Sequence, residues 1–246
     1  MERDKKSLRL KFQAASFCQY HPGKTAESLR KQPEYRQSKI LFVSPSPQLH
    51  QIRINALLDG KLLLMPGPAI KKGFYRFAPY KTSFKDLGHA TSLKGVELFG
   101  KLLDGTTLKG LHVDMALTDC QAVDPSGGRL GQGTGFFDLA MGLLAELGGV
   151  DGETVFCAVG VQEQVVEEDL PQDSWDVKMN FFLHEEGMVP LQAGNQHPAI
   201  LWDDLEKKRI RKVEPLWQLY KERFPESDSE VSNVWAKSLA TEDTEK

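Results

Sequence analysis

Cysteine is scarce in this chain. Of 246 residues only Cys18, Cys120 and Cys157 are cysteine, and no C-x-x-C pair occurs. That excludes a disulfide framework and argues against a structural zinc site. It fits a reducing compartment, so a cytoplasmic location is expected. An excess of one charge is missing too. The net charge of −3 gives no general attraction to nucleic acid or to anionic membranes, and neither partner is expected. No apolar run approaches the ~20 residues of a membrane helix. The opening MERDKKSLRLKF has no apolar h-region and does not read as a signal peptide. Six histidines are scattered without H-x-x-x-H spacing, which argues against a histidine metal site.

What remains is ordinary globular material. Hydrophobic residues make up 40% and charged residues 26%, enough for a core and a solvated surface. Asp4–Tyr20 and Thr25–Lys31 read as helices. Ile40–Val43 is a short apolar run that reads as a buried strand. Ser46-Pro47 follows, a serine N-cap with proline at the first helical position, and Leu49, Ile52, Ala56 and Leu57 carry helical spacing to Asp59-Gly60. Leu62–Met65 is the next apolar run. Strand, helix, strand with short joints predicts a parallel sheet of the α/β class. Further strands are expected at Leu111–Leu117, Thr154–Val161 and Met179–His184. Helices are expected at Phe136–Leu147 and Asp204–Arg223, the second broken near Pro215.

Residues 66–90 read as loop with short elements. Lys71, Lys72, Arg76 and Lys81 alternate there with Phe74, Tyr75, Phe77 and Tyr80. This stretch is either a patch for an anionic or aromatic ligand or a loop that turns its aromatics inward. The basic run Lys207, Lys208, Arg209, Arg211 and Lys212 reads as a solvated helix face. The expected organisation is an α/β domain over residues 1–200, a helix at 201–224 packed on it, and an acidic tail at 225–246.

One segment carries chemistry: Asp124-Pro-Ser-Gly-Gly-Arg129-Leu130-Gly131-Gln132-Gly133-Thr134-Gly135-Phe136-Phe137-Asp138. Five glycines fall within nine residues, and an apolar stretch of helical length follows. Glycine admits positive φ and close backbone approach. Successive N–H groups form an anion-binding nest, and the following helix adds its positive end. Arg129 offers a bidentate fork for phosphate oxygens. Asp138 is placed to hold Mg²⁺. The pattern is neither a Walker A loop nor the dinucleotide G-x-G-x-x-G. The alternative is a glycine-rich turn before a helix, with Asp138 as a first-turn carboxylate.

The whole pattern, D-x-x-G-x-R-L-G-x-G-x-G-F-F-D, resembles the signature loop of the 5-formyltetrahydrofolate cyclo-ligase (methenyltetrahydrofolate synthetase) family. Lys5-Lys6-Ser7-Leu8-Arg9 resembles that family's N-terminal K-x-x-L-R. Gln164, Leu170-Pro171 and Trp175-Asp176-Val177 resemble its Q…LP…HDV segment, with tryptophan in place of histidine. The likeness covers roughly residues 5 to 187. It is strongest to a divergent branch, the methenyltetrahydrofolate synthetase domain-containing proteins, through Gln51–Pro68 and the segment around Ile200–Lys212.

This resemblance implies a three-layer α/β/α fold with a mostly parallel sheet in a single domain. It implies Mg-ATP as cosubstrate and a folate or related N-formyl compound as the small-molecule partner, handled by a monomer or weak dimer. In that family ATP phosphorylates the formyl oxygen, N10 attacks, and phosphate leaves as the ring closes. Carried over by residue, Lys5, Arg9 and the run Arg129, Leu130, Gly131, Gln132, Gly133, Thr134, Gly135, Phe136 and Phe137 meet the nucleotide. Arg129 and Phe136 fall at catalytic positions, Gln48 and Phe136 on the substrate side, and Asp138 and Asp176 at the metal. Several family residues are changed. The glutamate before the first crossover helix is replaced around Pro47-Gln48, and the tyrosine after the glycines is Phe136. The basic residue after the aspartate is Leu139, and the proline-arginine pair after the second strand is Pro66-Gly67. These changes fall on the folate side. Three readings therefore stand: an ATP-dependent cyclo-ligase, a weak or silent nucleotide- or folate-binding regulator, and a structural relative.

Overall fold

In the computed structural model, residues 4–14, 19–194 and 197–225 are described. Their central feature is an eight-stranded sheet in the order β10-β9-β8-β5-β1-β2-β3-β4. The strands are β1 (Ile40–Val43), β2 (Leu62–Pro66), β3 (Phe74–Phe77), β4 (Lys101–Leu102), β5 (Met115–Asp119), β8 (Val155–Val159), β9 (Phe181–Leu183) and β10 (Met188–Pro190). β6 (Ala122–Val123) and β7 (Arg129–Leu130) form a separate antiparallel ribbon. β9, β8, β5, β1 and β2 run parallel, and β10, β3 and β4 extend the edges antiparallel.

The apolar runs are continuous because the parallel strands are covered on both faces. Leu41, Val43, Leu63, Met65, Met115, Leu117, Cys157, Val159 and Leu183 enter one core. It is shared with α2 (Pro22–Arg30), α3 (Pro33–Gln37) and α4 (His50–Leu58). The alternate residues Phe42, Leu64, Ala116, Phe156, Ala158 and Phe182 enter the other. That core holds α8 (Phe136–Glu146), α9 (Lys207–Lys212) and α10 (Glu214–Arg223), while the short helices α5 (Leu87–Ala90), α6 (Val96–Phe99) and α7 (Gly105–Lys109) lie between β3 and β5 in the chain. α8 is buried almost all round, from Phe137 through Leu144 except Asp138. A helix of this kind needs cover on both sides. The sheet covers one side, and residues 199–217 cover the other. At Gly142 an added Cβ would lie 3.0 Å from the Ala199 carbonyl oxygen.

Several expectations shift. Residues 66–90 contain a strand, β3, which pairs with β2 and buries Phe74, Tyr75 and Phe77, so these aromatics turn inward. Tyr80 alone of the four stays exposed. The strand expected from Leu111 starts at Met115. Asp114 accepts from the N–H groups of Lys39 and Ile40, each at 2.7 Å, and sets the register there. The C-terminal helix divides at Val213, so that Pro215 lies in the first turn of α10 and needs no donor. The first helix, α1, covers Lys5–Ala14, and residues 15–18 lie outside the described residues, as does the tail from residue 226. Ser46 makes no side-chain cap; Pro47–Leu49 is a single 3₁₀ turn that leads into α4. Cys120 and Cys157 are buried free thiols, and burial pushes the Cys120 thiol up to about 12.

The largest fully buried side chain is Arg53 of α4. Its guanidinium donates to the carbonyls of Ser44 (2.6 Å), Ser46 (2.9 Å) and Thr91 (2.6 Å). Burial pulls its pKa down to about 10, partly offset by the field of Asp119. A buried charge of this kind is tolerated because carbonyl dipoles replace water. It fixes the turn that follows β1. Arg53→Met should leave three carbonyls without their donor, at roughly 1–3 kcal/mol for each one that stays buried. Urea denaturation should therefore show a loss of about 3 kcal/mol or more. A loss below 0.5 kcal/mol, ordinary for a surface change, would contradict the role assigned to Arg53.

Candidate functional site

β1 lies between β2 and β5, so the chain order reverses direction at the β1/β5 boundary. In α/β sheets such a switch point leaves a crevice at the carboxyl ends of the strands. Here those ends carry Ser44, Thr118 and Asp119, and Ser44 donates to the Thr118 hydroxyl at 3.0 Å. A cleft of about 1410 Å³ opens above them.

The glycine segment forms one wall, and Asp124 builds it. This carboxylate is fully buried. It accepts from Gly128 N–H (2.8 Å), the Ser126 hydroxyl (2.8 Å) and Leu170 N–H (2.7 Å). The β6–β7 turn is thereby tied to the segment after the fourth parallel strand, with Gly127 at φ +84°. Along β7 the side chains alternate: Arg129 points into the cleft, and Leu130 packs on Ala122, Leu170, Leu8 and Phe12. The ribbon therefore docks α1, which brings Lys5 and Arg9 to the rim.

Beyond β7 the backbone turns through Gly133 (φ +89°) and Gly135 (φ +62°) into α8. An added Cβ at Gly131 would lie 2.5 Å from Arg129 Nη1, so glycine there leaves room for the guanidinium. Among the described residues, none of the backbone N–H groups from Gln132 to Asp138 has an acceptor. Carbonyls of the same loop are engaged instead: Arg9 donates to Gly131 O (3.0 Å) and Arg209 to Thr134 O (2.9 Å).

Arg129 is the central cation. Its Nη2 lies 3.2 and 3.1 Å from the two Asp138 oxygens, and the two side chains are 7% and 11% exposed. Nη1 reaches Asp119 O at 3.4 Å, and the guanidinium lies 5.0 Å from the Phe137 ring centroid. Its Nε is buried without a partner among the described residues. Asp138 also accepts from Val177 N–H at 3.1 Å. Asp176 and Asp173 accept from Lys5.

Most residues singled out from sequence thus line one cleft: Lys5, Arg9, Gln48, Arg129, Gly131, Gln132, Gly133, Thr134, Gly135, Phe136, Phe137, Asp138 and Asp176. Leu130 is the exception, because strand alternation turns its side chain to α1. Phe137 is mainly a core residue, edge-on to Phe42 at 6.1 Å. Phe136 is 38% exposed, but one of its faces is already covered by Arg209, 5.6 Å from the ring centroid. Gln48 turns into the cleft with its Oε1 buried and unpartnered among the described residues. The solvated-face reading of the 207–212 run fails for Arg209, which lines the cleft. Sequence reasoning also passed over Asp119, at the end of an apolar strand, and Arg53.

Comparison with known proteins agrees with this architecture. Residues 9–185 match the 5-formyltetrahydrofolate cyclo-ligase family. The chain belongs to that family. It is 28% identical over 189 residues to a methenyltetrahydrofolate synthase domain-containing protein of Danio rerio, covering 74% of this chain and 48% of that protein. The Homo sapiens protein of the same name is 25% identical over 198 residues, covering 77% and 50%. The chain thus spans about half the length of these curated relatives. The solved 5,10-methenyltetrahydrofolate synthetase of Aquifex aeolicus superposes with a TM-score of 0.50 at 21% identity, covering 78% of this chain and 93% of that one, which supports the shared fold. No helix among the described residues is long and apolar enough to cross a membrane.

The Arg129–Asp138 pair carries a stability consequence that sequence position alone does not suggest. Read from sequence, Asp138→Asn should barely move the melting temperature if Asp138 serves only a metal. With the carboxylate bonded to a nearly buried guanidinium, Asp138→Asn should cost roughly 1.5–3 kcal/mol, the usual range for a charged hydrogen bond. Thermal and urea unfolding of the ligand-free variant measure this. An unchanged midpoint would show that the pair contributes nothing to the resting fold.

Proposed function

We propose that the cleft binds Mg-ATP and that the protein acts as an ATP-dependent cyclo-ligase-like enzyme with low turnover on 5-formyltetrahydrofolate itself. The observation that carries this is the row of N–H groups from Gln132 to Asp138 without an acceptor among the described residues, on a loop whose carbonyls at Gly131 and Thr134 are already held by Arg9 and Arg209. Such a row, at the start of a well-buried helix, favours phosphate oxygens.

Arg129 supplies a charged donor to the same region, and its unpartnered Nε fits an acceptor that a ligand brings. The acidic donors are hard oxygen ligands only. Asp138 and Asp176 would hold Mg²⁺, in keeping with a cation that takes one or two carboxylates and completes its shell with phosphate and water. When bound, Mg-ATP supplies the phosphoryl group and neutralises its charge. The chain's own residues position it: Lys5 and Arg9 from α1, Arg129 from β7, and the loop amides. Phosphoryl transfer depends mainly on such positioning and charge stabilisation.

The substrate side is less complete. The hydroxyl that a tyrosine would present is missing at Phe136. The neutral Gln48 stands where the family has a glutamate, its Oε1 waiting for a donor. Ring closure demands that the formyl carbon and the attacking nitrogen be aligned, and misplacement by about 1 Å costs roughly a hundredfold. A second reading, a nucleotide-binding regulator without turnover, is favoured by the Arg209 guanidinium lying on one face of Phe136.

An absorbance assay for methenyltetrahydrofolate with Mg-ATP separates these readings. The expected result is a measurable rate well below the roughly 1–10 per second of ordinary enzymes, raised by Phe136→Tyr. A wild-type rate in that ordinary range would overturn the low-turnover reading, and no product at any enzyme concentration would favour the regulator. Calorimetry of Arg129→Ala should show Mg-ATP affinity weakened roughly ten- to a hundredfold. Unchanged affinity in a folded variant would remove Arg129 from the site.

A further inference from the structure

The family match ends at residue 185, yet the cleft does not. Residues 199–201 and α9 close its side above α8, and α9 places Arg209 against the glycine loop. Ile210, the next residue, is buried in the same core as Val213 and Leu216, so the backbone of α9 is anchored in that core. Arg209 therefore projects from an anchored element rather than from a free surface.

Its surroundings are those of an anion contact. The guanidinium donates to Thr134 O through Nη2 and lies over the Phe136 ring at 5.6 Å. Both terminal nitrogens are 3.6 and 3.8 Å from the position of a Cβ at Gly135, the residue that opens α8. Among the described residues, no carboxylate lies within ion-pair distance of Arg209, whereas Arg129 and Lys5 are paired with Asp138, Asp173 and Asp176. One fork of Arg209 is used on the loop and its charge is left uncompensated beside a row of free amides.

We infer that Arg209 is a ligand-binding residue of this cleft, supplied by the C-terminal segment. It contacts the phosphate oxygens of the nucleotide that the loop wraps, and its stacking on Phe136 sets which face of that ring a second ligand can use. This rests on the reading that the cleft takes Mg-ATP. The stacked planar fork is a property of arginine that lysine does not reproduce.

The test is calorimetry of the full chain with Mg-ATP and with tripolyphosphate, each at low and high salt. Arg209→Gln keeps a donor for Thr134 O and removes the charge, and Lys212→Gln, on the exposed side of the same helix, controls for net charge. Arg209→Gln should bind both probes roughly tenfold or more weakly, the usual effect of losing a charged hydrogen bond. Its affinity should also depend less on salt, with a melting temperature near that of wild type, while Lys212→Gln binds as wild type. Should Arg209→Gln fail to fold, Arg209→Lys, which keeps the charge and loses the planar fork, is titrated in the same way and should bind both probes measurably more weakly than wild type with the salt dependence retained. Equal affinity and salt dependence in Arg209→Gln and wild type, equal weakening in both glutamine variants, or an Arg209→Lys affinity equal to that of wild type would overturn the role of Arg209 alone. A wild-type protein that binds neither probe would overturn the nucleotide reading and this inference together.

Discussion

Reversal of strand order at β1 is the constraint on which the rest of the molecule depends. Two neighbouring parallel strands send their chains away in opposite directions, and no crossover covers the gap above their carboxyl ends. Two of the fully buried polar side chains, Arg53 and Asp124, hold the turns around that gap. Arg53 fixes the turn after β1 from below, through the carbonyls of Ser44 and Ser46. Asp124 fixes the turn after β5 from the side, through three donors. Each is a fully buried charge that is satisfied by neutral backbone or hydroxyl groups rather than by an opposite charge. They shape the walls and leave the pairing of charges to the cleft itself.

Within the cleft, cations and carboxylates are present in comparable number. Lys5 is held by Asp173 and Asp176, and Arg129 by Asp138. An arrangement of this kind keeps charged groups solvated by one another until a ligand brings its own charge. A phosphate would draw the cations and a divalent cation the carboxylates, so the two parts of Mg-ATP, the proposed ligand, would take complementary halves of each pair. The loop adds backbone N–H donors, on a chain that turns through Gly133 and Gly135 at φ values of +89° and +62°.

Elsewhere the cleft carries neutral groups: Gln48 after β1, and the ring of Phe136 at the start of α8, with the guanidinium from α9 over one of its faces. The polar atoms left without partners, Gln48 Oε1, Gln172 Oε1 and Arg129 Nε among them, mark where a ligand's own hydrogen-bonding groups would be rewarded. On the proposed reading, the glycine loop and its cations are the phosphate side of the cleft, and Gln48 and the Phe136 ring are its changed substrate side.

The sequence by itself determined the elements whose signal is local. Ile40–Val43 and Leu62–Met65 are apolar runs that only a strand buried on two faces accommodates. The glycines from Gly127 to Gly135 could be read as a loop, and Gly127, Gly133 and Gly135 do take the positive φ that glycine adopts freely. Elements whose burial comes from distant partners were illegible. β3 was hidden because Phe74-Tyr75-Arg76-Phe77 shows no clean alternation, and nothing in it reveals that β2 lies beside it. Gln48, Arg129 and Asp176 are far apart in the chain, and the register of a parallel sheet, not their spacing, brings them to one cleft. Arg209 sat in a run of five basic residues whose local pattern fits a solvated helix. Only the burial of Ile210 and Val213 in the core that also holds α8 decided that one of those side chains faces inward, since a helix presents different residues to different surroundings and the surroundings are set by the tertiary fold.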